Sequence, residues 1–205
     1  MTSNNRTDSA RQVIERGLSH DEKILWLGQP KQGLSFTTYD ILFIPFSLLW
    51  CGFAFFWEIN VLNIGGDVPS PITIVFPIFG IPFILLGLYM VFGRFIYKAW
   101  KKRFTFYAIT SKRAISLQLR NSNERSREIY LPSLSDISKN IKNNKTGSII
   151  FESSNGGLFS HYNNLYANTG MDFWGRSSSG FAFYDLENAE QVYQAIQQVK
   201  LSTNK

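Results

Sequence analysis

The chain has 205 residues, a formal net charge of +6 and one cysteine. That length holds one or two small units, and a single thiol excludes an internal disulfide framework. The mean hydropathy of −0.09 resembles that of a soluble protein, but it averages a polar chain with two apolar blocks.

The N-terminal segment, residues 1–39, is polar. MTSNNRTDSARQVIERG has no apolar core, so no signal peptide is read there and insertion would use an internal segment. The first apolar block is residues 41–62, uncharged from Ile41 to Trp57. The second is residues 71–92, with no charge. A bilayer core about 30 Å thick needs about 20 apolar helical residues, and both blocks reach that length. Pro45, Pro77 and Pro82 are tolerated in lipid-embedded helices, where neighbours satisfy the freed carbonyls; kinks are expected near Pro77 and Pro82. Gly52, Gly80, Gly87 and Gly93 permit close helix approach. The turn-rich connection NIGGDVPS makes the spans an antiparallel hairpin, residues 40–93.

Lys and Arg lie on one side of that hairpin. Arg6, Arg11, Arg16, Lys23 and Lys31 precede it, and Arg94, Lys98, Lys101, Lys102 and Arg103 follow it, whereas the connection carries only Asp67. The positive-inside rule therefore predicts cytoplasmic termini. Tyr89, Tyr97 and Trp100 fit an interfacial aromatic belt, and the basic residues fit a layer of anionic headgroups. Glu58, beside Trp57 and Asn60, is read as interfacial and in contact with water.

Residues 94–205 read as a cytoplasmic domain. RFTFYAIT and AISLQLR alternate as a hairpin around TSKR, with Phe104 and Phe106 on one face and Tyr107 and Ile109 on the other. NSNERSR reads as a polar turn, EIYLP as a strand, DISKNIK as a weaker one, then SIIFES and FAFYD. Residues 155–180 read as a long loop rich in Gly, Asn, Ser and aromatics. The chain closes with an amphipathic helix over 186–201, in which Ala189, Val192, Ile196 and Val199 share a face and Asn188 is the expected N-cap. The fold class is thus a two-helix membrane hairpin followed by a mainly-β domain with a C-terminal amphipathic helix.

Four stretches carry a resemblance: EKILWLGQP (22–30), YAITSKRAISL (107–117), IYLPSLSDI (129–137) and ENAEQVYQAI (187–196). In order and spacing the chain resembles bacterial membrane proteins that carry a pleckstrin-homology-like (PH-like) domain after a two-span hairpin. The resemblance implies a strongly bent sheet closed by the helix, held at the surface of the bacterial cytoplasmic membrane. It implies binding of a protein or a lipid headgroup rather than catalysis.

The residues agree with that expectation. His20 and His161 are far apart in sequence, no cysteine pair exists for zinc, and neither NIGG nor SNGG is followed by the Lys-Ser or Lys-Thr of a phosphate loop. No catalytic residue, metal ligand or cofactor is assigned. Lys139, Lys142 and Lys145 read as a solvated turn, so no nucleic-acid partner is expected. Candidate headgroup contacts are Arg94, Lys98, Lys101, Lys102, Arg103, Lys112 and Arg113. Phe159, Tyr162, Tyr166, Phe173 and Trp174 form a second candidate surface in the loop. The expected partners are the bilayer and a protein or anionic lipid, with a homo-oligomer open; the alternative role is a structural subunit or assembly factor of an envelope complex.

Overall fold

The computed structural model describes residues 3–37, 39–64, 71–120, 123–134, 136–142, 145–152, 168–171 and 181–203. The chain divides into two compact units. One comprises residues 1–33, 99–167 and 175–205; the other, residues 34–98 and 168–174.

The first unit is built on seven strands among the described residues. Strands β1 (Ile24–Gly28), β2 (Thr105–Thr110), β3 (Arg113–Arg120) and β4 (Asn123–Tyr130) form one antiparallel sheet in that order. Strands β5 (Asp136–Ile141), β6 (Gly147–Glu152) and β7 (Phe181–Leu186) form a second antiparallel sheet. Helix α1 (Ser3–Arg16) precedes β1, and a closing helix spans Ala189–Thr203.

Alternation within β2 explains how these parts share cores. All six of its residues are buried, because successive side chains point to opposite faces and both faces are covered. Phe106 and Ala108 meet Ile115 and Leu117 under Ala10 and Ile14 of α1. Tyr107 and Ile109 meet Ile149, Phe151 and Phe183 of the second sheet and Val192, Ile196 and Val199 of the closing helix. Each large apolar side chain buried this way contributes about 1.5–3 kcal/mol.

Three expectations shift here. The N-terminal segment is not separate from the domain: Trp26, Leu27 and Gly28 of β1 pair with Ile109, Ala108 and Tyr107. The hairpin is therefore an insertion between the first two strands of the first sheet. NSNERSR is not a turn for most of its length, because β4 begins at Asn123. It is an edge strand with exposed charges on both faces, a pattern that discourages edge-to-edge pairing and hides the alternation. Asn188 has φ +53° rather than the extended geometry of an N-cap; its carbonyl accepts from the Gln191 N–H at 2.9 Å.

In the second unit, helices α2 (Asp40–Ile64) and α3 (Pro71–Leu88) pack against each other. Both are long and apolar enough to cross a membrane. Their outward residues are large and apolar: Leu49 is 73% exposed, Phe56 66% and Leu85 60%. After α3 the helix passes through one π turn, Tyr89–Gly93, into α4 (Arg94–Lys102). Two residues then separate α4 from β2. The closing helix is α5.

Candidate headgroup contacts and buried charges

The basic residues after the second apolar helix fall into two groups by helical phase. Arg94, Lys98 and Lys102 recur every four residues and so share one face of α4. All three are buried. Arg94 Nη1 lies 2.5 Å from Asp40 Oδ1, with both side chains at most 3% exposed. Lys98 Nζ donates to the Ser35 carbonyl at 3.0 Å. Lys102 Nζ pairs with Asp185 at 2.9 Å, within the first unit. Each of the three charges is directed to a partner within the chain. The physical reason is the price of burying a charge, met only by a partner in reach.

The Arg94 site shows how the helix accommodates such a charge. In the π turn the Arg94 N–H bonds to the Tyr89 carbonyl, five residues back. The Met90 carbonyl is taken instead by Arg94 Nε at 2.8 Å. The guanidinium stacks over Phe95 with its carbon 4.3 Å from the ring centre. Asp40 Oδ2 also accepts from the Thr37 N–H and hydroxyl at 2.5 and 3.0 Å, as in a capping box. Gly170 lies against this site: Tyr89 Oη donates to its carbonyl at 2.6 Å. A Cβ on Gly170, whose φ is +82°, would collide with the Arg94 backbone.

Arg113 is half-buried and committed to a second network. Its Nε and Nη2 bind Glu22 Oε1 and Oε2 at 2.9 and 3.0 Å, Nη1 binds Glu128, and Nη2 also reaches the Gly17 carbonyl at 2.6 Å. Thr110 Oγ1 donates to Glu22 Oε1 at 2.5 Å and accepts from the Arg113 N–H. Burial alone raises the Glu22 carboxyl. The bonds from Arg113, Thr110 and the Ser19 N–H outweigh it and hold the group below the ordinary glutamate range. Glu22, Thr110 and Arg113 come from EKILW and TSKR, so these motifs meet in a structural clamp. In the same stretch, the Trp26 ring lies over Gly28, where any Cβ would meet it at 2.5 Å.

Lys101 and Lys112 are half-buried and Arg103 is exposed. The loop aromatics Phe159, Tyr162, Tyr166, Phe173 and Trp174 lie outside the described residues. Among the described residues no group of His, Cys, Asp and Glu is placed to hold a metal ion.

Glu58 departs from its interfacial reading. It shares with Ser47 and Ala54 the buried face of α2 and is 9% exposed. Its carboxylate folds over Gly80 of α3, where a Cβ would strike Oε2. Oε2, like Trp50 Nε1 two turns earlier on α2, has no hydrogen-bond partner among the described residues. Gly87 is the second close approach: its Cβ would lie 3.0 Å from Cys51 Cα.

Comparison of the chain with protein-family models, curated proteins and solved structures gives no match.

Proposed function

We propose that this protein is a membrane-anchored, non-catalytic binding module. The α2–α3 hairpin spans the bacterial cytoplasmic membrane with both termini cytoplasmic, and a PH-like unit presents a surface to a protein or lipid headgroup. The observation that carries the reading is the chain order. Four strands, three strands and a closing helix follow one another, interrupted once by two helices with apolar outward faces. In water those faces would leave an apolar surface far larger than monomers expose; in lipid they need no cover. Alkaline carbonate washing and protease protection test the reading. The chain should stay with the membrane, and a tag after Lys205 should be cleaved only in inside-out vesicles. Release by carbonate, or cleavage from the outer side, overturns it.

Glu58 favours a second reading, a subunit of a larger membrane assembly. An acid inside a span that lacks a partner is a functional candidate, and Glu58 Oε2 has none among the described residues. A protein partner of fixed stoichiometry that is lost on Glu58→Leu would select this reading over the first.

A further inference from the structure

The arginines around Trp100 and Phe104 behave unlike the buried set. Arg120 lies over the Trp100 ring at 4.5 Å, Trp100 meets Phe104 edge-on at 5.2 Å, and Arg6 lies over the Phe104 ring at 5.6 Å. The result is a ladder of cation, ring, ring and cation drawn from β3, α4, the two-residue link before β2, and α1. Arg103, exposed, sits between the two rings in sequence. Arg94, Lys102 and Arg113 all have carboxylates. Arg6, Arg103 and Arg120 form no ion pair among the described residues. Trp100 is 37% exposed despite its size.

We propose that Arg6, Arg103 and Arg120, framed by Trp100 and Phe104, bind the phosphates of anionic phospholipids. This site rests on the membrane-anchored reading above. Guanidinium groups suit phosphate because their planar fork donates two parallel hydrogen bonds. Stacking on aromatic rings holds such a fork in place while leaving its edge open to donate.

Chain position supports the lipid source. Trp100 lies eight residues beyond Phe92, where the second apolar run ends, and Trp is enriched at membrane–water interfaces.

The test uses the full chain. It is reconstituted in bilayers of equal phosphatidylcholine and phosphatidylglycerol, extracted in mild detergent, and its retained lipids counted by native mass spectrometry. Wild type should retain phosphatidylglycerol in preference to phosphatidylcholine, and high salt should weaken that preference. At about fivefold per arginine, Arg6→Gln, Arg103→Gln and Arg120→Gln together should weaken it roughly a hundredfold. A control with Lys23→Gln, Lys31→Gln and Lys200→Gln removes the same charge elsewhere and should retain the preference. Circular dichroism should show both variants folded, as expected for side chains without ion pairs. Arg→Lys at all three sites should restore part of the retention, which a folding defect would not predict. Preference unchanged in the triple Gln variant, or lost equally in the control, overturns the site. A chain released by carbonate overturns the membrane reading instead, so the two failures are distinguishable.

Discussion

Removing Asp40 should show whether Arg94 is an internal partner or a headgroup ligand. Asp40→Leu strands a guanidinium that has no exposed surface and lies 2.5 Å from its carboxylate. Breaking one side of a buried pair costs about 3–5 kcal/mol. The same change deletes the acceptor of the Thr37 bonds that cap α2, for about 1 kcal/mol more. We expect a loss of about 4 kcal/mol. Arg94→Met strands Asp40, but Thr37 still donates to it, and the loss should be about 3 kcal/mol. The double variant leaves no buried charge at this site. It still forfeits the Met90 carbonyl bond and the cap, so about 2–3 kcal/mol should remain lost. The singles should therefore exceed the double by about 4 kcal/mol when added. Unfolding of the full chain in mixed micelles, titrated with sodium dodecyl sulfate and followed by circular dichroism, measures all four members of the cycle. Additive singles to within about 0.5 kcal/mol would refute the pairing. So would a stable Asp40→Leu variant together with an Arg94→Met variant that loses lipid but not stability.

Two further outcomes follow from local geometry. Gly87→Leu should lower stability by about 2 kcal/mol or more, because its Cβ meets the Cys51 backbone, which cannot rotate away. Gly52→Leu, with nothing within 4 Å, should change it by less than about 0.5 kcal/mol; equal losses in the same titration would mean the helices pack by another face. For Glu22, the stability contributed by its lowered carboxyl is complete above the ordinary glutamate value of 4.5 and is lost as pH falls through the lower folded value. The wild-type unfolding midpoint should hold from pH 7 to about 5 and fall below about 4. Glu22→Gln should start lower at pH 7 and fall less; parallel curves would show that the clamp with Arg113 contributes nothing.

What was legible in the sequence depended on how locally each feature is encoded. The two apolar helices need only a charge-free run, and α5 only a repeat of three and four, so both were read within a few residues. β2 and β3 announced themselves by alternation. β4 did not, because an edge strand with charges on both faces has no apolar period to detect. β1 was quoted as a motif but not read as a strand, since its partner lies some eighty residues away across the hairpin. The buried charges were missed for a different reason. A list of Lys and Arg after a span treats them as equivalent, whereas the period of 3.6 turns Arg94, Lys98 and Lys102 one way and Trp100 another. The four-residue spacing was the available signal, and Asp40 and Asp185 were the partners to seek. The π turn, and Gly170 lodged against Arg94, left no trace that periodicity could find.

That split bears on the proposed orientation. Three of the five basic residues counted after the second span are buried, and Arg94 and Lys102 carry their own counter-charges once folded. On a net-charge argument the orientation would weaken accordingly. The positive-inside bias is not a net-charge rule, however: it counts Lys and Arg near span ends, with Asp and Glu contributing little. It also acts as the chain inserts, before Asp40 can close on Arg94 or Asp185 on Lys102. The same residues can therefore orient the hairpin first and brace the folded units afterwards. Attraction to anionic lipid in the finished protein then falls to cations without a carboxylate. Among the described residues Arg6, Arg103 and Arg120 are of that kind, and Arg6 and Arg120 lie over the Phe104 and Trp100 rings.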